Sequence, residues 1–500
     1  MAEEHFDVLV VGAGVSGIAA GYHLQKRCPD RRYAILEARA AMGGTWDLFR
    51  YPGIRSDSDM YTFGYAFRPW TSGKVFADGP AIRHYVKDTA ERHDIESHIR
   101  YRHRVVSADW DGKSARWTVT VERGEDGARA IYTCGFLMMC SGYYRYDKGY
   151  LPAFEGMEDF TGRIVHPQHW PEDLDYAGKR VAIIGSGATA VTLVPAMAET
   201  AAHVTMVQRS PSYIAARPMR DRIADGLRKV LPGGLAYSLT RAKNVLLTIY
   251  FYQLSQRFPE FVKRQVMKAI EKKLGEDAAV GTHFNPSYNP WDQRFCLAPD
   301  GDFFQALKDG KASIRTDHID RFTPDGLELK SGEVVEADII IPATGLQMLL
   351  LGGVDFRVDG APFVAKDSFA YRGMMLSGMP NLALAFGYTN ASWTLKVDLT
   401  CERVCRLLNH MKRKGYDYVE PVAPPDLEAE PLLDFSSGYV QRSIAEFPKQ
   451  GARPPWRAYQ NYIQDMLAIR YGKLEDGEVH FGEAGDAMTG RDNAPAKAAE

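Results

Sequence analysis

The stretch Phe6-Asp7-Val8-Leu9-Val10-Val11-Gly12-Ala13-Gly14-Val15-Ser16-Gly17 decides the fold. Its first half is nearly continuous in apolar residues, as expected for a parallel strand buried on both faces. A GxGxxG turn follows, and Ile18-Ala19-Ala20-Gly21-Tyr22-His23-Leu24 then carries a helical pattern. Strand, glycine turn and helix in this order form a dinucleotide-binding fingerprint. Gly12 permits the tight turn, Gly14 lets the backbone approach a pyrophosphate, and Gly17 allows close packing of helix on strand. The helix N-terminus adds unpaired N–H groups and partial positive charge toward the phosphates. A second strand, Tyr33-Ala34-Ile35-Leu36, ends in Glu37, about 20 residues past the glycines, where a carboxylate accepts from ribose hydroxyls. That carboxylate repels a 2′-phosphate, so the site suits FAD or NAD rather than NADP.

The pattern returns in mid-chain. Val181-Ala182-Ile183-Ile184 runs into Gly185-Ser186-Gly187-Ala188-Thr189-Ala190. Ala190 replaces the third glycine, where only a small residue is needed. The next strand, Val204-Thr205-Met206-Val207, ends in Gln208-Arg209-Ser210. An arginine there pairs with a 2′-phosphate, and Gln208 removes the repulsion of a carboxylate. The second site therefore reads as NADPH-binding, with Gly185, Gly187, Thr189, Arg209 and Ser210 as its residues. The N-terminal site is left for FAD, and Gly43-Gly44-Thr45-Trp46 resembles a flavoprotein loop that approaches this cofactor.

Composition excludes several other classes. Hydrophobic content of 45% and charged content of 25% are ordinary for a globular enzyme. A formal charge of -2 gives no reason to expect nucleic acid as a partner. Met1-Ala2-Glu3-Glu4 leads directly into a strand and does not read as a signal peptide. No apolar run approaches the roughly 20 residues of a transmembrane helix. Six cysteines without a CxxC pair suit a reducing, cytoplasmic setting and argue against a disulfide reductase. No metal site is expected.

The segment Phe160-Thr161-Gly162-Arg163-Ile164-Val165-His166-Pro167-Gln168-His169-Trp170-Pro171 carries the most specific motif. Through Phe160, Gly162, His166 and Trp170 it matches the FxGxxxHxxxW(P/D) pattern of type I Baeyer–Villiger monooxygenases. Gly43 to Tyr61, Tyr288 to Arg294 and Asn390 to Lys396 extend the resemblance over nearly the whole chain. They resemble most the mycobacterial, ethionamide-activating branch of that family, which takes ketones and also oxidises sulfur. The resemblance implies an NADPH-reduced FAD that captures O2 as a C4a-peroxide and converts ketones to esters or lactones. It implies that Arg294 stabilises the peroxide anion and that Asp57 supports Arg294, with Asp59 as the alternative. It also implies that Trp393 opens the helix closing over the flavin. Gln293 stands where many relatives carry a lysine that assists 2′-phosphate binding. His166 is either a protonation switch near neutral pH or a hydrogen-bonded linker residue, and the second reading is preferred.

The fold class expected is α/β, with two dinucleotide-binding domains, the second inserted in the first, and a helical insertion. The FAD-binding domain takes 1–145 and 376–484, and the NADPH-binding domain takes 146–220 and 296–375. The helical insertion takes 221–295, and a disordered tail takes 485–500. The basic residues of the insertion read as a solvated face in preference to a membrane-contacting one. The partners expected are O2 and a small ketone or sulfur-containing molecule. The rival readings are a flavin-containing S- or N-monooxygenase without ketone activity, and a non-catalytic redox-sensing flavoprotein.

Overall fold

The strand Glu4–Val11 lies inside a nine-stranded sheet, between the parallel strands Tyr33–Leu36 and Ala128–Met139. From Val8 to Val11 its side chains alternate between two cores. Val8 and Val10 join Ile18 and Ala19 of the helix Val15–Arg27 and Val397 and Leu399 of the helix Trp393–Lys414. Phe6, Leu9 and Val11 enter the other core, with Trp110 and Trp117. With both faces covered, neither set of side chains needs to be polar, which gives the continuous apolar run. The computed structural model describes residues 4–275, 279–433 and 435–486. Of the expected tail, the part from 487 onward lies outside the described residues.

A second sheet has five parallel strands in the order Ala312–Thr316, His203–Gln208, Arg180–Ile184, Ile339–Pro342 and Arg163–Ile164. Val181 and Ile183 face one core, and Ala182 and Ile184 face the other. The fold is α/β, with two dinucleotide-binding units and the second interrupting the first. The segment read as a linker is itself part of the second unit: Arg163–Ile164 forms its edge strand, and Val165 N–H donates to Ile340 O at 3.0 Å.

The division expected at 375/376 falls too late. Asp355–Val358 already pairs with His103–Asp111 in the first sheet. Phe356 and Val358 turn into the core beside Trp117, with Phe356 and Trp117 ring centroids 5.9 Å apart, while Arg357 is exposed. Leu382–Leu384 then adds parallel to Ala128–Met139. The helical insertion is bracketed by a parallel pair, Ile214–Arg217 with Cys296–Pro299. Between these strands run the helices Arg222–Val230, Gly233–Arg257 and Pro259–Leu274.

Candidate active site

A groove of about 780 Å³ follows the mouth of the first sheet, lined by Gly12, Gly14, Glu37, Gly44, Thr45, Trp46, Asp57, Arg294 and Trp393. Gly12 has φ 103°, and a Cβ there would stand 2.7 Å from the Cys140 carbonyl oxygen. A Cβ on Gly17 would fall 1.9 Å from Gly12 O, so helix and turn touch backbone to backbone. Gly44, at φ 57°, would bring a Cβ to 3.1 Å from Gly14 Cα. The floor of the groove is thus bare backbone, as a pyrophosphate requires. Glu37 is buried, and its two oxygens accept from Ala13 N–H at 2.7 Å and Arg39 N–H at 2.8 Å. Burial pushes its pKa up, and these two N–H groups hold it down. Each oxygen keeps a further lone pair for a ribose hydroxyl. Thr45 Oγ1 and Tyr146 OH lie 3.2 Å apart along the wall. Trp393 Nε1 donates to Ser16 Oγ at 2.9 Å, and its ring lies where a Cβ on Gly387 would have to go. These residues fit a flavin dinucleotide.

The second glycine turn is more open. Gly185 has φ 132°, and Gly187 has nothing within 4 Å of a Cβ position, leaving room above the N-terminus of the helix Ala188–Met197. Ala190 is fully buried, consistent with its role as the small packing residue. Thr189 stands close to the Tyr51 hydroxyl. Arg209 and Ser210 are exposed, and among the described residues the Arg209 side chain has no partner. Gln208 has a structural role besides its lack of charge. It is buried, and its Nε2 donates to His283 O and to Thr316 Oγ1, each at 2.8 Å. It ties the strand end to the insertion and does not lie open beside Arg209.

A second cavity, of about 620 Å³, lies between the insertion helices and the first unit. Leu247, Leu254, Val266, Phe295 and Phe304 make its wall largely apolar. Arg294 and Asp57 line both this cavity and the nucleotide groove. Arg294 ends the loop Asn289–Arg294, in which Trp291 has φ 75° and packs on Phe295 at 5.3 Å. Ser436 N–H donates to Asp292 O at 2.9 Å, which anchors this loop to the segment carrying Tyr439. Burial opposes the charge on Arg294, but Tyr143, Tyr439, Tyr144 and Asp57 outweigh it, and its pKa rises above the ordinary value. Burial also keeps Tyr144 and Tyr439 protonated, Tyr439 being pushed up to about 12. Asp57 is the carboxylate among the groups acting on the guanidinium. Its own pKa is raised by burial and held down by Arg294 and Arg55.

Among the described residues, Asp57 and Arg294 make no direct ion pair, so the expectation that the carboxylate grips the guanidinium is replaced by attraction across the cavity wall. Arg55 is committed to Asp302. Asp59 is distinct in role. It caps the short helix Met60–Phe63 through Thr62 N–H at 3.1 Å and also accepts from Asn244 at 2.8 Å.

The fingerprint residues sit away from both cavities. Phe160 packs near Phe322 with centroids 6.3 Å apart. A Cβ on Gly162 would fall 2.4 Å from Asp338 O. Trp170 packs on the core of the second sheet. His166 Nδ1 accepts from Gln168 N–H at 3.2 Å, and burial lowers its pKa. The hydrogen bond to Gln168 and the lowered pKa both favour the linker reading.

Sequence reasoning missed Gln168, which is buried and donates to Arg145 O at 2.9 Å and Tyr146 O at 3.1 Å. It joins the fingerprint to the loop walling the first groove. Tyr143, Tyr144 and Tyr439 were also missed. The first two follow directly on the strand Ala128–Met139, which was a usable signal, whereas nothing local marks Tyr439.

A family model described as flavin-binding monooxygenase-like matches residues 72–227, and one for an NAD(P)-binding Rossmann-like domain matches 10–89. The chain is 54% identical over 480 residues to the FAD-containing monooxygenase EthA of Mycobacterium tuberculosis, covering 96% of this chain and 98% of that protein. It is 47% identical over 489 residues to the probable FAD-binding monooxygenase AlmA of Acinetobacter baylyi, covering 97% and 98%. Among solved structures it resembles an oxidised steroid monooxygenase bound to NADP, with TM-score 0.75, 21% identity and coverage of 96% and 100%. It also resembles OTEMO in complex with FAD and NADP, with TM-score 0.74, 22% identity and the same coverage. The chain belongs to the FAD-containing, NADPH-dependent flavin monooxygenases and has the fold of the Baeyer–Villiger type.

Proposed function

We propose that this enzyme inserts oxygen beside the carbonyl of apolar ketones, giving esters or lactones, and that its cavity also admits thioethers and thioamides. The observation that carries the reading is the position of Arg294, on the wall shared by the nucleotide groove and the apolar cavity. When bound and reduced by NADPH, FAD supplies the activated oxygen. The chain supplies the surroundings. Arg294 offers a fixed positive charge where negative charge develops on oxygen during attack on a carbonyl. A preorganised donor of this kind contributes about 3 kcal/mol to lowering the barrier. Asp57 keeps the guanidinium electrostatically balanced when no substrate is bound. The apolar residues of the cavity keep water from competing for the reactive oxygen. Arg209, at the second site, pairs with the 2′-phosphate of NADPH.

The test is product analysis with NADPH and 18O2 on a panel of ketones and thioethers. One labelled oxygen in each ester or lactone is the expected result. Label in sulfoxides but in no ester would overturn the ketone reading and leave an S-monooxygenase.

A further inference from the structure

The outer face of the helical insertion is not used by either nucleotide site. From Pro232 to Phe251 every exposed residue is uncharged. On the helix Gly233–Arg257, Leu235, Leu239, Leu246 and Tyr250 fall on one side by helical spacing and are exposed by 49%, 45%, 56% and 64%. The buried side of the same helix holds Ala236, Tyr237, Thr240, Val245 and Ser255, so none of its leucines is among its buried residues. The neighbouring helix Arg222–Val230 adds Ile223 at 59% and Val230 at 76%, and Phe258 and Phe261 continue the exposed set toward the third helix. Scattered exposed apolar residues need no explanation, but a group of this extent marks a contact surface.

Two observations say what covers it. Leu247, Tyr250, Phe251 and Phe261 are exposed and also line the 620 Å³ cavity, so the apolar face forms the rim of the substrate cavity. Basic side chains flank that face: Arg222 and Lys229 stand beside Ile223 and Val230, Arg257 beside Phe258, and Arg264 one turn beyond Phe261, all exposed. Of the nearby acids, Asp221 is paired with Lys243 and Asp225 with Arg228, while Glu260 and Glu271 on the third helix are exposed. An apolar helix face with interfacial aromatics and flanking arginine and lysine matches the chemistry of an anionic bilayer surface. Among the described residues no helix is long and apolar enough to cross a membrane, so the contact would be peripheral.

We propose that this face docks on an anionic lipid leaflet and that the cavity draws its substrate from the lipid phase, which selects lipophilic ketones with alkyl chains. The choice of ketones rests on the function proposed above; the docking does not.

The test is co-sedimentation of the FAD-loaded enzyme with vesicles of phosphatidylglycerol and phosphatidylcholine, against phosphatidylcholine alone. Preferential binding to the anionic vesicles, weakened by salt, is the expected result. The variant Val230→Glu/Leu239→Glu/Leu246→Glu changes residues that do not line the cavity. It should bind vesicles about a hundredfold more weakly, with its flavin spectrum and its turnover of water-soluble 2-butanone unchanged. Arg222→Gln/Lys229→Gln should cost about tenfold and flatten the salt dependence. Wild-type enzyme that ignores anionic vesicles, or a triple variant that binds as wild type does, would overturn the docking. So would wild-type self-association lost in the triple variant without vesicle binding, which would make a second copy the occupant. A rate advantage for 2-tridecanone dissolved in anionic vesicles, lost in the triple variant, supports delivery from lipid. Vesicle binding without oxygenation of any ketone would overturn the ketone reading and leave the docking standing.

Discussion

In the first nucleotide unit the polar residue at the end of the second strand, Glu37, is buried and fastened to two backbone N–H groups. In the second unit the corresponding Gln208 is likewise buried and hydrogen-bonded, but the next residue, Arg209, is exposed with no partner among the described residues, and Gly187 has open space above it. The same strand–turn–helix unit thus makes a lined groove in one case and an open shelf in the other. A groove whose specificity residue is already held in place suits a cofactor kept through many turnovers. A free arginine beside an open turn suits a dinucleotide that comes and goes, because its pairing energy is realised only when the phosphate arrives.

The largest expected effect lies where the two regions meet. Arg294→Met should lower oxygenated product about 10²- to 10³-fold, while FAD content and the rate of flavin reduction by NADPH stay near wild type. Product yield and stopped-flow absorbance separate the two. If flavin reduction falls as far as product does, Arg294 belongs to the nucleotide sites and not to the oxygenation step.

Arg209→Ala tests the open shelf. The KM for NADPH should rise about 10- to 100-fold, the loss expected for a charge-assisted hydrogen bond, with kcat, FAD content and the KM for NADH unchanged. An equal rise for NADH would show that Arg209 does not read the 2′-phosphate.

The nucleotide units were legible because their signals are local. The glycine spacing is read within one strand–turn–helix unit, although only Gly17 is required by a contact inside it, on Gly12; Gly12 and Gly185 are met from outside by Cys140 and Ala343. Arg294 was legible only through family likeness, since its loop reaches the groove by anchoring Asp292 to Ser436, far away in sequence. The structural role of Gln208 was not legible because the position after a strand is the same number in a sequence whether the side chain turns outward or inward. Here His283 and Thr316 draw it inward. The helical insertion was hidden in another way. Its basic residues were visible in composition, but only packing shows that Leu235, Leu239, Leu246 and Leu247 are exposed.

Asp57→Asn probes the charge shared between groove and cavity, with an expected loss of about tenfold in product formation, comparable to loss of one hydrogen-bonding charge. Burial raises the Asp57 pKa, so the carboxylate takes up its proton above the ordinary carboxylate range as pH falls. The acid limb of product formation should therefore lie above that range in wild type and be absent in the asparagine variant. An unchanged acid limb would assign it to another group.

The smallest expected effect concerns the fingerprint, which belongs to the second unit yet is fastened through Gln168 to the wall of the first groove. His166 Nδ1 accepts a backbone N–H, so protonating that nitrogen would break the bond to Gln168. Burial lowers the folded-state pKa below the ordinary value of 6.5, aided by His169 and opposed by the Tyr150 carbonyl. Below about 6.5 the unfolded chain then binds a proton that the folded chain does not, so this residue's contribution is complete above that pH and is lost as pH falls toward the folded-state pKa. Asparagine preserves an acceptor for Gln168 N–H but does not titrate. The melting temperature of wild type should therefore drop relative to His166→Asn by about 2 °C between pH 7.5 and pH 5.5, since the other titrating groups are common to both proteins. A gap between the two that does not change with pH would mean that His166 serves the fingerprint by shape alone.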